Sequence, residues 1–217
     1  RQLSQLMTSI GKLSGRRVIA LLSDMNQPLG QAVGNALEVK EAIETLQGRG
    51  PADFREHCLH VASNMLVLGE KASDLAEARS MVENAISENY AWQKFRNMVI
   101  NQGGDVSYVD HPEKMALAPV ISTVPANHTG YIKWIDAKEI GESTVDMGAG
   151  RKRKEDSIDH AVGVIIHHKV GDKVEAGQPL FTLHAHDQGS CDLAKERILK
   201  AHVMSEKPCD PLPLFYS

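Results

Sequence analysis

One stretch holds most of the residue types that chemistry needs. It runs Ser23-Asp24-Met25-Asn26-Gln27-Pro28-Leu29-Gly30 and leads, after a few small residues, into an amphipathic segment from Asn35 to Leu46. Asp24 follows a continuous apolar run, VIALL at 18–22. Such a run reads as a strand buried on both faces of a sheet, and ligands of open α/β sheets bind in loops at the carboxyl ends of their strands. Two readings of Asp24 stand side by side: a turn-forming Asp that bonds its own backbone, or a carboxyl that faces a substrate. Glu41, on the helix that follows, is by spacing alone one more acid on a solvated face.

Other segments offer less. Met147-Gly148-Ala149-Gly150-Arg151 is either a flexible turn or a nest of backbone N–H groups that, with Arg151, would receive an anion. The basic residues 152–154 that follow read as a solvated face, because the aromatic residues expected of a single-strand binder are scarce at 5%. His184 and His186 share one face of a predicted strand, and His167 adjoins His168, yet no third ligand follows at zinc spacing. The three cysteines, Cys58, Cys191 and Cys209, are widely spaced and never form a Cys-x-x-Cys pair. That spacing argues against a disulfide framework or a zinc knuckle, and a reducing, cytoplasmic compartment is expected.

The elements that must position these groups follow from periodicity. Leu3, Leu6, Met7, Ile10 and Leu13 stand at helical spacing, with Gly15 where a left-handed cap is expected. Asn35 is the expected N-cap of the helix that ends near Leu46. Further helices are predicted over 51–71, 73–87 and 90–101, ended by Gly103-Gly104. Beyond Asp105 the texture becomes short β-type runs at 118–124, 130–135, 158–167 and 179–185, with helices near 137–145 and 192–206. The tail from Pro208 carries three prolines and should run extended. The predicted organisation is α/β over 1–104, then an α+β subdomain over 105–217.

The chain has 217 residues, 42% of them hydrophobic and 24% charged, with a net charge of −4. That is ordinary globular composition, able to bury a core unaided. It provides no basic field for nucleic acid and no apolar run near the ~20 residues of a membrane helix. The opening Arg1-Gln2-Leu3 lies inside a helical pattern and lacks an initiator Met, so the chain is expected to be a piece of something longer.

Four segments in sequence order carry a resemblance: SDMNQPLGQAVGNALEVKEAIE at 23–44; MGAGR at 147–151; Lys154-x-Asp156-x-Ile158-Asp159; and Val170-Gly171-Asp172-Lys173-Val174-x-x-Gly177-x-Pro179-Leu180. Together they resemble the C-terminal half of the pyrimidine-nucleoside and thymidine phosphorylases, from Arg1 to about Ala185. The form DMNQPLGQAVGNALEV is more similar to the broad-specificity pyrimidine enzymes. The resemblance implies most of the large α/β domain of a nucleoside phosphorylase, followed by a subdomain with a hammerhead-like strand-turn-strand. It implies phosphorolysis of a pyrimidine nucleoside (uridine, thymidine or deoxyuridine) to the free base and a pentose 1-phosphate, in a homodimer. The family's phosphate and pyrimidine grips match nothing in these residues, so activity is expected to need an N-terminal half. The resemblance also implies a potassium ion held by the backbone carbonyls of Leu29 and Ala32 and the carboxylate of Glu41. A related nucleotide phosphorylase family, similar over this turn, implies that Asp24 protonates the leaving base.

The run 170–180 is similar as well to the turn of biotinyl and lipoyl carrier domains, which makes a non-catalytic binding module the alternative. Such a carrier needs a lysine at a hairpin tip, where this chain has Met147-Gly148-Ala149-Gly150.

Overall fold

The computed structural model describes residues 1–216. Helix α1 (Gln2–Leu13) opens the chain, and its apolar stripe faces outward. Strand β1 is the short pair Ala32–Val33, followed by α2 (Asn35–Leu46). A helical layer comes next: α3 (Ala52–Leu68), α4 (Leu75–Ser87), α5 (Tyr90–Asn101) and the single turn α6 (Ser107–Asp110). Helix α4 begins where Asp74 Oδ1 accepts the N–H groups of Ala76 and Glu77, both at 2.9 Å. Glu77 reaches back to the N–H of Ser73 at 2.8 Å, and this reciprocal capping fixes the start of the helix. Arg79 of α4 forks onto Glu56 of α3 at 2.6 and 2.7 Å, which sets the register of the pair.

The remaining elements are β2 (Val120–Pro125), β3 (Gly130–Ile135), α7 (Ala137–Thr144), β4 (Gly163–Ile166), β5 (Lys173–Val174), β6 (Pro179–Ala185), α8 (Gln188–Ala201) and β7 (His202–Ser205). They make two antiparallel sheets, one in the order β1-β4-β6-β2 and the other β5-β3-β7. Between the sheets and helices α7 and α8 lies the main core, with Phe181, Leu183, Val164, Ile166, Ile132, Ile135, Ile140 and Ile198 all fully buried. Alternation along β6 puts Phe181 and Leu183 inward and leaves Thr182 and His184 half-buried, as the period of two requires. Because β1 pairs with β4, Ala32 opposite Ile165, the loop before α2 is stitched to the C-terminal sheet. The mixture of helix and sheet agrees with the expected α/β class.

Three expectations are corrected. The run 18–22 is not a buried strand: it joins no ladder, and Ile19 is 42% exposed. A strand needs neighbours on its edges, and the pairing given to this segment among the described residues comes only at its end. There Tyr216 N donates to Leu22 O at 2.7 Å and Asp24 N to Leu214 O at 3.0 Å. Second, Asn35 does not cap α2. The N-cap is Gly34, the Glu38 carboxylate takes the Gly34 N–H at 2.9 Å, and Asn35 Nδ2 donates across to Ala149 O at 2.7 Å. Third, the helix predicted over 192–206 begins earlier, where Asp187 Oδ1 accepts the Ser190 N–H at 2.8 Å, and ends at Ala201. His202–Ser205 leaves it to pair with β3 as β7, Ile135 opposite His202 and Trp134 opposite Val203.

Candidate functional site

The loop from Asp24 to Gly34 is held from three directions. From α2, the Glu41 carboxylate reaches back so that its Oε2 accepts the N–H groups of Gln31 at 2.8 Å and Ala32 at 3.1 Å. From the start of α3, Asp53 Oδ2 accepts the Gly30 N–H at 3.2 Å. From the segment after β4, the Lys169 ammonium donates to the carbonyls of Pro28 and Gly30 and pairs with Asp53 at 3.1 Å. The next residue, Val170, donates its N–H to Gln27 Oε1 at 2.9 Å, and Ile166 donates to Gln31 O at 2.8 Å.

Gly30 is required here. Its φ is +70°, and a Cβ built on it would lie 2.2 Å from Glu41 Oε1. The glycine therefore supplies both the left-handed backbone and the space into which the carboxylate fits. Burial pushes the Glu41 carboxyl above its ordinary range, against the pull of the Gln31 and Ala32 N–H groups and the Lys169 charge, while Asp53 nearby adds to the rise. Glu41 is thus not an acid on a solvated face. It lies against the loop that contains Leu29 and Ala32, of which Ala32 is buried in β1 and Leu29 is partly exposed. Backbone oxygens and one half-buried carboxylate are the hard donors a weakly polarising cation takes. The residues named for potassium therefore suit it chemically.

Asp24 sits at the other end of the loop. Its Oδ2 accepts the Asn26 N–H at 3.1 Å, closing an Asx turn, and its Oδ1 accepts Asn26 Nδ2 at 2.6 Å and the Tyr216 hydroxyl at 2.7 Å. The turn-forming reading of Asp24 is thus present in the geometry. Hydrogen bonding to this carboxylate raises the Tyr216 phenol above its ordinary range. The tail that brings Tyr216 here carries no helix and meets the loop through an isolated bridge between Phe215 and Ser23; Phe215 stacks on the His57 ring at 4.9 Å and lies tilted 4.3 Å from that of His60.

The segment 145–149 forms a π-type turn with Gly148 at φ +110°. Its carbonyls are engaged by Asn35, as above, and by the Asp159 N–H, which bonds Gly148 O at 2.9 Å. Sequence reasoning missed Lys169, Asp53 and Tyr216. Lys169 lies 141 and 139 residues from the carbonyls it holds, and Tyr216 lies 192 from Asp24. No local spacing carries such pairings.

Two family models match the chain in order. Residues 3–92 match the glycosyl transferase family a/b domain, and residues 131–205 match the pyrimidine nucleoside phosphorylase C-terminal domain. The pyrimidine-nucleoside phosphorylase of Geobacillus stearothermophilus is 44% identical over 216 residues, 100% of this chain and 50% of the relative. That of Staphylococcus aureus (strain USA300) is 45% identical over 194 residues, 89% of this chain and 45% of the relative. The chain spans about half the length of the curated relatives it matches. No described helix is long and apolar enough to cross a membrane. The α/β transferase domain, the C-terminal domain that follows it and the loop they jointly clamp identify the chain as belonging to the pyrimidine-nucleoside phosphorylase family.

Proposed function

We propose that this chain works in a cytoplasmic pyrimidine-nucleoside phosphorylase, together with an N-terminal half that brings the phosphate and pyrimidine grips. In the reaction a phosphate oxygen forms a bond to C1′ of the pentose as the C1′–N1 bond breaks. The base leaves with the electron pair and gains a proton, and the pentose leaves as its 1-phosphate. Uridine, thymidine and deoxyuridine are the proposed nucleosides, and a homodimer is the proposed assembly. The observation that supports this reading best is the identity of 44% along the full chain to a named pyrimidine-nucleoside phosphorylase.

Part of the chain's own contribution is positional. Glu41, Asp53 and Lys169 hold the Gln27–Ala32 loop in one shape, which is what catalysis by orientation needs. A potassium ion at the Leu29 and Ala32 carbonyls and the Glu41 carboxylate would add positive potential beside the loop. Asp24 is the proposed proton source for the leaving base.

The test joins this chain to the N-terminal half of the Geobacillus stearothermophilus enzyme and follows base release from uridine, thymidine and deoxyuridine with phosphate. Turnover by the joined protein and none by the 217-residue chain alone is the expected result. A well-folded joined protein that releases no base from any of the three would overturn the reading. Intact mass serves the alternative: a biotinyl or lipoyl adduct would favour the carrier module.

A further inference from the structure

We propose that Lys169 is a tethered cation, which organises the Gln27–Gln31 loop as a bound monovalent ion would. The argument begins with what surrounds its ammonium. Two backbone carbonyls, Pro28 and Gly30, and one carboxylate oxygen of Asp53 at 3.1 Å converge on it. Carbonyl oxygens together with one carboxylate are the donor set that potassium takes from a protein, and an ammonium group presents the same single charge with three donors. The Lys169 and Asp53 side chains are only 20% and 25% exposed, so solvent screens the pair less than it does the surface pairs of this chain.

The surrounding bonds make this a structural device. Asp53 Oδ2 also takes the Gly30 N–H, so one carboxylate holds both the loop and the lysine that grips it. Val170, next in sequence, is fastened to Gln27 Oε1, which limits where the lysine stem can go. Lys169 thus ties three separate pieces together: the loop before β1, the start of α3 and the turn between β4 and β5. Its charge also reaches Glu41, whose carboxyl it favours in the ionised form. The proposal goes beyond the catalytic reading and does not depend on it, because it concerns what keeps the loop in shape.

A tethered cation can be replaced by a free one if space is made for it. Lys169→Ala makes that space. The 217-residue chain and this variant are unfolded thermally in ammonium, methylammonium, potassium, sodium and tetramethylammonium chlorides at equal ionic strength. In tetramethylammonium, too large for the gap, the variant should melt roughly 3 to 8 °C below the parent. Ammonium, methylammonium and potassium should each recover at least about half of that loss. The parent should show a smaller spread among the salts. Equal salt responses in variant and parent, or a variant that melts where the parent does, would overturn the proposal.

Lys169→Gln keeps N–H donors without the charge and guards against an alanine variant too unstable to purify. It should melt below the parent, and full retention of stability by this variant would also count against the proposal. A potassium response of the parent that Glu41→Gln weakens reports on the Glu41 cation site instead. Recovery of Lys169→Ala by methylammonium reports on the tethered charge. The two can therefore fail separately.

Discussion

Glu41 and Asp24 are acids of one loop in unlike surroundings, and they should fail differently. Burial raises the Glu41 carboxyl in the folded protein above its ordinary value of 4.5. The folded state therefore favours the protonated form, so Glu41's contribution to stability is full below the unfolded value and is lost as pH rises through the raised folded one. Glu41→Gln cannot titrate. The unfolding free energy of the parent, relative to this variant, should fall as pH climbs from 4.5 through the raised value and then level off, as urea titrations would show. Excess potassium should restore the parent at the upper end and move the variant less; a pH-independent difference would mean that Glu41 titrates as it does in an open chain. In the joined enzyme, Asp24→Asn keeps size and turn bonding but removes the acid, so turnover should drop roughly 10²- to 10⁴-fold. Potassium should rescue part of the Glu41→Gln loss and none of the Asp24→Asn loss. A 5-fluorinated uracil needs less protonation on leaving, so it should recover Asp24→Asn more than Glu41→Gln. If Asp24→Asn matches the parent with every base, Asp24 serves only the turn that it closes on Asn26.

At the scale of elements, the joint between β1 and β4 has the least tolerance. A Cβ on Gly163 would lie 2.4 Å from Val33 O, 2.9 Å from Leu37 Cδ1 and 3.0 Å from Gly34 Cα. Two of those three atoms are backbone, which cannot turn aside as a side chain can, so Gly163→Ala should cost about 2–3 kcal/mol through forced separation of the strands. Gly141→Ala in α7 is the control. Nothing lies within 4 Å of its Cβ position, and alanine in a helix interior should stabilise by about 0.5–1 kcal/mol. Urea unfolding of both variants checks the contrast, and equal effects would show that the joint yields. The same elements show what the sequence made legible. The periodic patterns for α5 and for β3 and β6 ended at the observed residues, because each is bounded by local turn and cap residues. The apolar run 18–22 was misread because its composition reports a preference for burial and says nothing of which strands lie beside it. His202–Ser205 was absorbed into a helix because the four residues carry no Gly or Pro, and only pairing with β3 reveals them as a strand. In the loop, the bonds of Glu41 to Gln31 and Ala32 and of Asp24 to Asn26 are local, whereas the hydroxyl of Tyr216 and the ammonium of Lys169 arrive from other parts of the fold.

At the scale of the whole molecule, helix α1 and the run beside it present an apolar surface that the core does not use. On α1, Leu6 is 57% and Ile10 54% exposed, and Leu3, Met7 and Leu13 continue the stripe. Ile19, Leu21 and Leu22 of the unladdered run are also exposed. A stripe at i, i+3, i+4 and i+7 is the pattern of a helix face that packs against something, and a soluble protein seldom leaves such a patch bare. Each of these side chains would gain about 1.5–3 kcal/mol if fully buried, so even partial cover of four of them rivals the net stability of a domain. The isolated chain should therefore self-associate as its concentration rises. Leu6→Lys with Ile10→Lys places two like charges at i and i+4 in the middle of the stripe; lysine is as good a helix former as leucine, so α1 should persist at the cost of a few tenths of a kcal/mol of repulsion. Sedimentation velocity across a concentration series should show the parent drifting to larger species while the double variant stays monomeric, with unchanged helix content by circular dichroism. In the enzyme joined to an N-terminal half, the same double substitution should reduce stability, because the stripe is then covered and the lysines would be buried. A parent chain that stays monomeric at every concentration, and a joined enzyme indifferent to both lysines, would mean that the stripe is solvated in the assembled protein and that α1 docks on nothing.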